Sequence, residues 1–193
     1  MMDKQTFLEI VELTKRADDR PSNLVNLIRR PNSFHYYKLF VHLARAMNPG
    51  LIVELGTNQG VGALHFRYGS PTAKIITVDI VRTQKIEDRL IDYGVKGVIC
   101  DATEYAVQVK DGTVDICFID ANHLYEDVKS DAAAWIPKMR KGGVVMFDDI
   151  WLKEYPVGVE TGMKRFWDEL EGDFEKLEVK YLHPSVNFGV LII

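Results

Sequence analysis

The chain has 193 residues, 47% of them hydrophobic, with 24 Lys and Arg against 28 Asp and Glu and a formal net charge of −4. That length and apolar content suit one domain with a substantial core. The acidic balance argues against a protein that holds nucleic acid by neutralising phosphates, and no apolar run approaches the ~18 residues needed to span a bilayer.

Met1-Met2-Asp3-Lys4 leads into an amphipathic segment without a signal-peptide core. Residues 5–16 carry Phe7, Ile10, Val11 and Thr14 at helical spacing. Asp18-Asp19-Arg20-Pro21 breaks that pattern, and a short helical piece follows over 24–28. Pro31-Asn32-Ser33 offers a cap for a third helix, which Asn48-Pro49-Gly50 stops. The Tyr36-Tyr37 pair within it reads as helix packing. Residues 1–48 are thus a helical extension ahead of 49–193, the whole forming one compact domain. This segment exceeds what one small core must cover, which is the sequence's one hint of a homodimer.

From there apolar runs at 51–55, 74–78, 97–100, 114–119 and 144–147 alternate with helical segments. Their hydrophobicity is continuous rather than alternating, the mark of strands buried on both faces of a parallel sheet. Cys100 and Cys117 lie in two such runs and read as buried thiols of a reducing compartment, so a soluble, cytoplasmic protein is expected. The only basic clusters, Arg29-Arg30 and Lys138-Met139-Arg140-Lys141, read as solvated helix faces or ends. A helix is predicted over 161–170, and 174–182 and 187–193 read as two strands joined by His183-Pro184-Ser185. Trp135 and Trp167 sit at helical spacing and belong to the core. The fold class is α/β, a Rossmann-like, mostly parallel sheet of seven strands that closes in an antiparallel C-terminal hairpin, with helices on both faces.

The first strand runs into a glycine-rich turn, Glu54-Leu55-Gly56-Thr57-Asn58-Gln59-Gly60-Val61-Gly62. Such a turn brings backbone N–H groups and a helix N-terminus close to a ligand. Its spacing, E-x-G-x-x-x-G, is not the G-x-G-x-x-G of dinucleotide binding. Four further strands end in acid, at Asp79, Asp101, Asp120 and Asp148-Asp149. With Glu54 these collect on one edge of a parallel sheet, where like charges repel and imply a ligand or cation that offsets them.

These residues resemble the class I S-adenosylmethionine-dependent methyltransferases over about 49–193, with the N-terminal helices in the variable, lid-like part. The resemblance implies that Glu54, Gly56, Thr57 and Gly60 approach the methionine part of S-adenosylmethionine. It implies that Asp79 accepts from the ribose hydroxyls, and that Asp101 and Ala102 meet the adenine. A narrower likeness follows from Ile119-Asp120-Ala121-Asn122-His123-Leu124-Tyr125, Val128, Asp131, Trp135 and Gly142-Gly143…Asp148-Asp149. This is similar to the metal-dependent small-molecule and sugar O-methyltransferases of the methyltransferase family 24 type. By that likeness Asp120, Asp148 and Asp149 hold Mg²⁺, His123 is the base, and Asp120 serves both catalysis and the cofactor side. Two positions depart from the pattern: Ala121 replaces the usual glycine, and Gly62-Ala63 stand where a serine is common.

The physics agrees with such a site. Adjacent strand ends ~4.8 Å apart can share a hard cation, and an all-oxygen set suits Mg²⁺, Mn²⁺ or Ca²⁺. Asp148 and Asp149 can both reach it only if the chain has turned out of the sheet there. A metal-bound hydroxyl is acidified, and a histidine near its ordinary pKa can take the proton. The expected acceptor is a small hydroxylated molecule, with neither nucleic acid nor membrane as partner. The competing readings are a nicotinamide-dependent oxidoreductase, weakened by the glycine spacing, and a non-catalytic S-adenosylmethionine-binding module. A module of that kind has no need of Asp120, His123, Asp148 and Asp149 together.

Overall fold

The computed structural model describes residues 1–17, 34–154, 158–183 and 186–193. The helical piece expected at 24–28, Arg29-Arg30, the Pro31-Asn32-Ser33 cap and the Pro184-Ser185 turn lie outside them. Helix α1 (Lys4–Arg16) starts where Asp3 accepts a hydrogen bond from the Thr6 N–H, and it buries Phe7, Ile10, Val11 and Thr14. Helix α2 (Phe34–Met47) leads into β1 (Leu51–Leu55), and the alternation continues through α3 (Val61–Gly69), β2 (Lys74–Asp79), α4 (Gln84–Asp92) and β3 (Lys96–Ile99). It is completed by α5 (Ala102–Ala106), β4 (Val114–Ile119), α6 (Tyr125–Trp135), β5 (Met139–Asp148), α7 (Met163–Glu169), β6 (Glu175–His183) and β7 (Val186–Ile192).

The seven strands lie in the order β3-β2-β1-β4-β5-β7-β6. Strands β1 to β5 are mutually parallel, and β7 inserts antiparallel between β5 and β6. The predicted architecture is therefore present, with the hairpin's second strand inside the sheet and its first at the edge. From β1 the chain steps outward to β2 and β3, then returns to place β4 on the other side of β1. The carboxyl ends of β1 and β4 thus flank the point where strand order reverses, the usual ligand crevice of open α/β sheets.

Two apolar layers cover the sheet. Helices α1 to α4 pack Phe7, Leu39, Phe40, Phe66 and Leu90 on one face with Ile52, Ile116 and Phe118. Phe40 stacks on Phe66 with ring centres 4.4 Å apart and meets Phe118 edge-on at 4.7 Å. The described part of the N-terminal extension is therefore integral to this core. Helices α5 to α7 cover the other face, where Trp135 and Trp167 are fully buried.

Two sequence readings need correcting. Cys117 is buried, but Cys100 lies just past β3 and is only half-buried, its thiol donating to Glu104 at 3.7 Å. In the basic cluster at 138–141, Lys138 does stand at a helix end, closing a 3-10 turn, but Arg140 and Lys141 belong to β5, which starts at Met139. The reason is an acid hidden in the apolar run of β4. Asp115 accepts the backbone N–H groups of Gly50 and Leu51 at 2.9 and 2.8 Å and pairs with Arg140.

Candidate active site

The turn after β1 is shaped by what lies against it. Gly56 has φ +91°, and a Cβ there would come 2.1 Å from the Asp120 carbonyl oxygen, so neither the angle nor the contact tolerates a side chain. Its N–H bonds the Val78 carbonyl at 2.8 Å. Gly60 begins α3 in the left-handed region, and Arg89 holds the Gln59 carbonyl at 2.8 Å. Thus β2, β4 and α4 all fix the turn.

Glu54 points into the protein and is 2% exposed. Thr77 Oγ1 donates to its Oε2 at 2.6 Å, and Thr57 Oγ1 lies 2.8 Å from Thr77 Oγ1. Burial pushes Glu54 up to about 8, against the bonds from the Thr77 hydroxyl and the Ala63 N–H and with help from the negative charge of Asp79. The serine missing at 62 now has a physical reason, because a Cβ on Gly62 would meet Glu54 Oε1 at 2.1 Å. Glu54 braces the turn from beneath. Asp79 ends β2 and braces it from the side, its Oδ2 accepting the N–H groups of Thr57 and Asn58 at 2.9 and 3.0 Å. Its Oδ1 carries only a long contact to the Val81 N–H, at 3.3 Å.

Asp101 caps α5: its Oδ1 accepts from the Thr103 hydroxyl and from the Glu104 and Thr103 N–H groups, and these bonds, the hydroxyl's first, hold its carboxyl below the usual range. Ala102 beside it is tied to α6 through its carbonyl, which accepts from Trp135 Nε1 at 3.1 Å. One helical turn earlier Asp131 is buried, and burial with the nearby charges of Asp101 and Asp127 pushes it up to about 7.

On the other side of the reversal point, Asp120 follows β4, Asp148 ends β5, and Asp149 has φ +49°, so the chain turns out of the sheet there. Asp120 and Asp148 bring carboxylate oxygens within 4.8 Å of each other, so two groups of the same charge are crowded at one point. Burial, together with the charges of Glu54 and Asp149, holds Asp120 well above the ordinary carboxylate range. His123 Nε2 lies 3.8 Å from Asp120 Oδ1. Burial holds this histidine below its ordinary value, opposed by the charge of Asp149. One donor atom from each of Asp120, His123 and Asp148 falls within 4.8 Å of the others. Two carboxyl groups crowded this closely fit a hard cation that would offset their charge.

The structure thus brings Asp120, Asp148 and His123 together, with Gly56 packed against the Asp120 backbone, Thr57 and Gly60 in the same turn, and Glu54 and Asp79 bracing that turn. Asp149 acts on this cluster through its charge, but its oxygens are outside the converging set, and a histidine nitrogen takes the third place. Asp101 and Ala102 stand further along the same edge. Sequence reasoning passed over Thr77 and Arg89. A threonine inside an apolar strand and an arginine on an amphipathic helix carry no local signal of what they touch.

Residues 53–150 match the model of a family described as a methyltransferase domain, and the chain belongs to that family. A curated relative, the uncharacterized protein y4gI of Sinorhizobium fredii, is 26% identical over 205 residues, covering 93% of this chain and 21% of that protein. The chain therefore spans about a fifth of the length of the curated relative it matches. Among solved structures, the O-methyltransferase TomG from Streptomyces achromogenes, in complex with SAM, is similar at a TM-score of 0.71 and 19% identity, over 100% of this chain and 99% of that one. The SAH-bound Podospora anserina methyltransferase PaMTH1 gives 0.70 and 18%, over 100% and 97%. An O-methyltransferase from Bacillus cereus in complex with SAH gives 0.64 and 15%, over 100% and 93%. At these identities the likeness is one of fold.

Proposed function

We propose that the carboxyl edge of this sheet binds S-adenosylmethionine and directs its methyl group to a hydroxyl of a small molecule, assisted by a divalent cation. The observation that carries this reading is the convergence of Asp120, His123 and Asp148 across the strand reversal from the Glu54–Gly60 turn. Membership of a methyltransferase family supplies the reaction class, and the converging groups supply a means of activating an oxygen nucleophile.

In this reading the glycine turn receives the methionine part. Asp79 offers Oδ1 to the ribose hydroxyls while Oδ2 keeps the turn in shape, and Asp101 offers its uncapped oxygen to the adenine amino group, with Ala102 beside the ring. Asp120 and Asp148 hold the cation, Mg²⁺ by preference, with Asp149 beside them. When bound, the cation acidifies a ligated hydroxyl. His123 is kept neutral by burial and receives the released proton. Much of the acceleration comes from fixing the oxygen in line with the sulfonium methyl. The same reading places the protein in the cytoplasm, where the free thiols of Cys100 and Cys117 stay reduced.

The test is transfer of a tritiated methyl group from S-adenosylmethionine to a panel of hydroxylated small molecules, with Mg²⁺ or with EDTA. EDTA and Asp148→Asn should each abolish transfer. His123→Ala should lower kcat by about a hundredfold or more, the range of general-base loss. Full turnover in EDTA contradicts the cation's role, and full turnover by His123→Ala contradicts the base.

A further inference from the structure

Beyond Asp149 the chain folds back sharply. The Leu152 N–H bonds the Asp149 carbonyl at 2.8 Å, and the Trp151 N–H donates to Asn187 Oδ1 at 2.7 Å. These bonds fix Trp151 at the carboxyl edge, two residues past Asp149, with 40% of its surface open. The other two tryptophans are at most 1% exposed. Two ammonium groups from separate elements converge on the open indole. Lys164, in the first turn of α7, brings its Nζ to 4.8 Å from the ring centre, and Lys180 of β6 brings its own to 3.8 Å. Gly162, just ahead of α7, bridges to Leu124 beside His123. The lysines therefore stand on the same rim as Asp120, His123 and Asp148.

Two like charges gathered within a Debye length of each other (~10 Å at 0.1 M salt) repel. Among the described residues each lysine has one acidic partner, Asp168 for Lys164 and Glu178 for Lys180. Exposed pairs of this kind hold little energy, and each ammonium has three donors, of which one carboxylate takes only part. Meanwhile the indole tethers both ammoniums in place through its π-face. The chain as a whole is acidic, and the crevice beside this point is lined with carboxyl groups. A positive pair next to it is the arrangement that would draw an anionic molecule in and orient it.

We infer that Lys164 and Lys180, held by Trp151, form an anion subsite for the methyl acceptor. The acceptor then carries an anionic oxygen group, phosphate, sulfate or carboxylate, on the side away from the hydroxyl that faces Asp120 and His123. Lys164 and Lys180 bind the anion directly, and Trp151 is a positioning residue that acts through them. The inference rests on the methyltransferase reading for the identity of the bound molecule, but the binding of an anion is measurable without it.

Because Trp151 is the exposed tryptophan, intrinsic fluorescence reports on it. The full chain is titrated with inorganic phosphate, sulfate and acetate at constant ionic strength, against chloride, with and without S-adenosylhomocysteine. Saturable changes are expected with one or more of the oxyanions and not with chloride. The Lys164→Met/Lys180→Met double variant should weaken them by about tenfold or more, as for the loss of charge-assisted contacts, and Lys164→Arg/Lys180→Arg should retain them. A response that follows ionic strength alone, or is unchanged in the methionine variant, overturns the subsite. In turnover, 3,4-dihydroxybenzoate and its methyl ester form an anionic and neutral acceptor pair. The methionine variant should raise KM for the acid while leaving kcat/KM for the ester unchanged, and an equal loss on both overturns the acceptor role. Failure of S-adenosylmethionine to bind would sink the methyltransferase reading and with it the acceptor assignment, and the anion titration separates that outcome from failure of the lysine pair.

Discussion

Glu54 is the residue whose charge matters most to the site, because its surroundings favour different states. Thr77 and the Ala63 N–H favour the carboxylate, while burial and the nearby Asp79 favour the acid and raise it to about 8. When charged it receives the Thr57-to-Thr77 hydroxyl chain, and when protonated it can donate into that chain. The unfolded chain releases this proton near the ordinary 4.5 and the folded one near 8. Stability linked to Glu54 is thus complete below the lower value and lost as pH rises through the higher. Glu54→Gln removes the linkage, so denaturant titrations should show the variant gaining on the wild type from about pH 5 to about pH 8.5, by on the order of 4 kcal/mol. A difference that does not vary with pH would mean that Glu54 has the same charge in both states. The spacing of Glu54, Gly56 and Gly60 was legible in the sequence, since glycine turns after apolar runs are few. The roles of Thr77 and Gly62 were not, because each depends on which side chain stands across from it.

At the scale of elements, the strand pattern could be read because every strand except β3 and the edge strand β6 buries a continuous apolar run. The reading failed where polar groups work inside a strand. Asp115 interrupts β4 and ties the start of β1 to β5 through Gly50, Leu51 and Arg140, so β5 starts well before its apolar stretch. This tie lies at the edge of the sheet opposite the crevice. Asp115→Ala leaves two backbone N–H groups and a guanidinium without their acceptor. It should destabilise the fold by about 3 kcal/mol, read as a lower denaturation midpoint at unchanged m-value. Cofactor affinity should be retained at temperatures where the variant is folded. A variant as stable as the wild type would contradict the assigned role.

At the scale of the molecule, five parallel strands carry their acids to one edge, and the step from β3 back to β4 opens a crevice between two of them. The sequence showed the acids and the alternation, so the edge could be inferred. It could not show that Asp120 and Asp148 converge with His123 while Asp149 stays outside the converging donors, since that depends on how β5 leaves the sheet. Nor could it show two lysines meeting on Trp151, because α7 and β6 become neighbours of that turn only in the folded chain. The fold was thus largely legible, the cofactor half of the site in outline, and the acceptor half hardly at all. The central claim is that this crevice is built for S-adenosylmethionine, and calorimetric titration of the intact chain tests it most directly. Saturable one-to-one binding of S-adenosylmethionine is predicted, lost in Gly56→Ala, with no heat from NAD. Binding of NAD, with none of S-adenosylmethionine, would contradict the account.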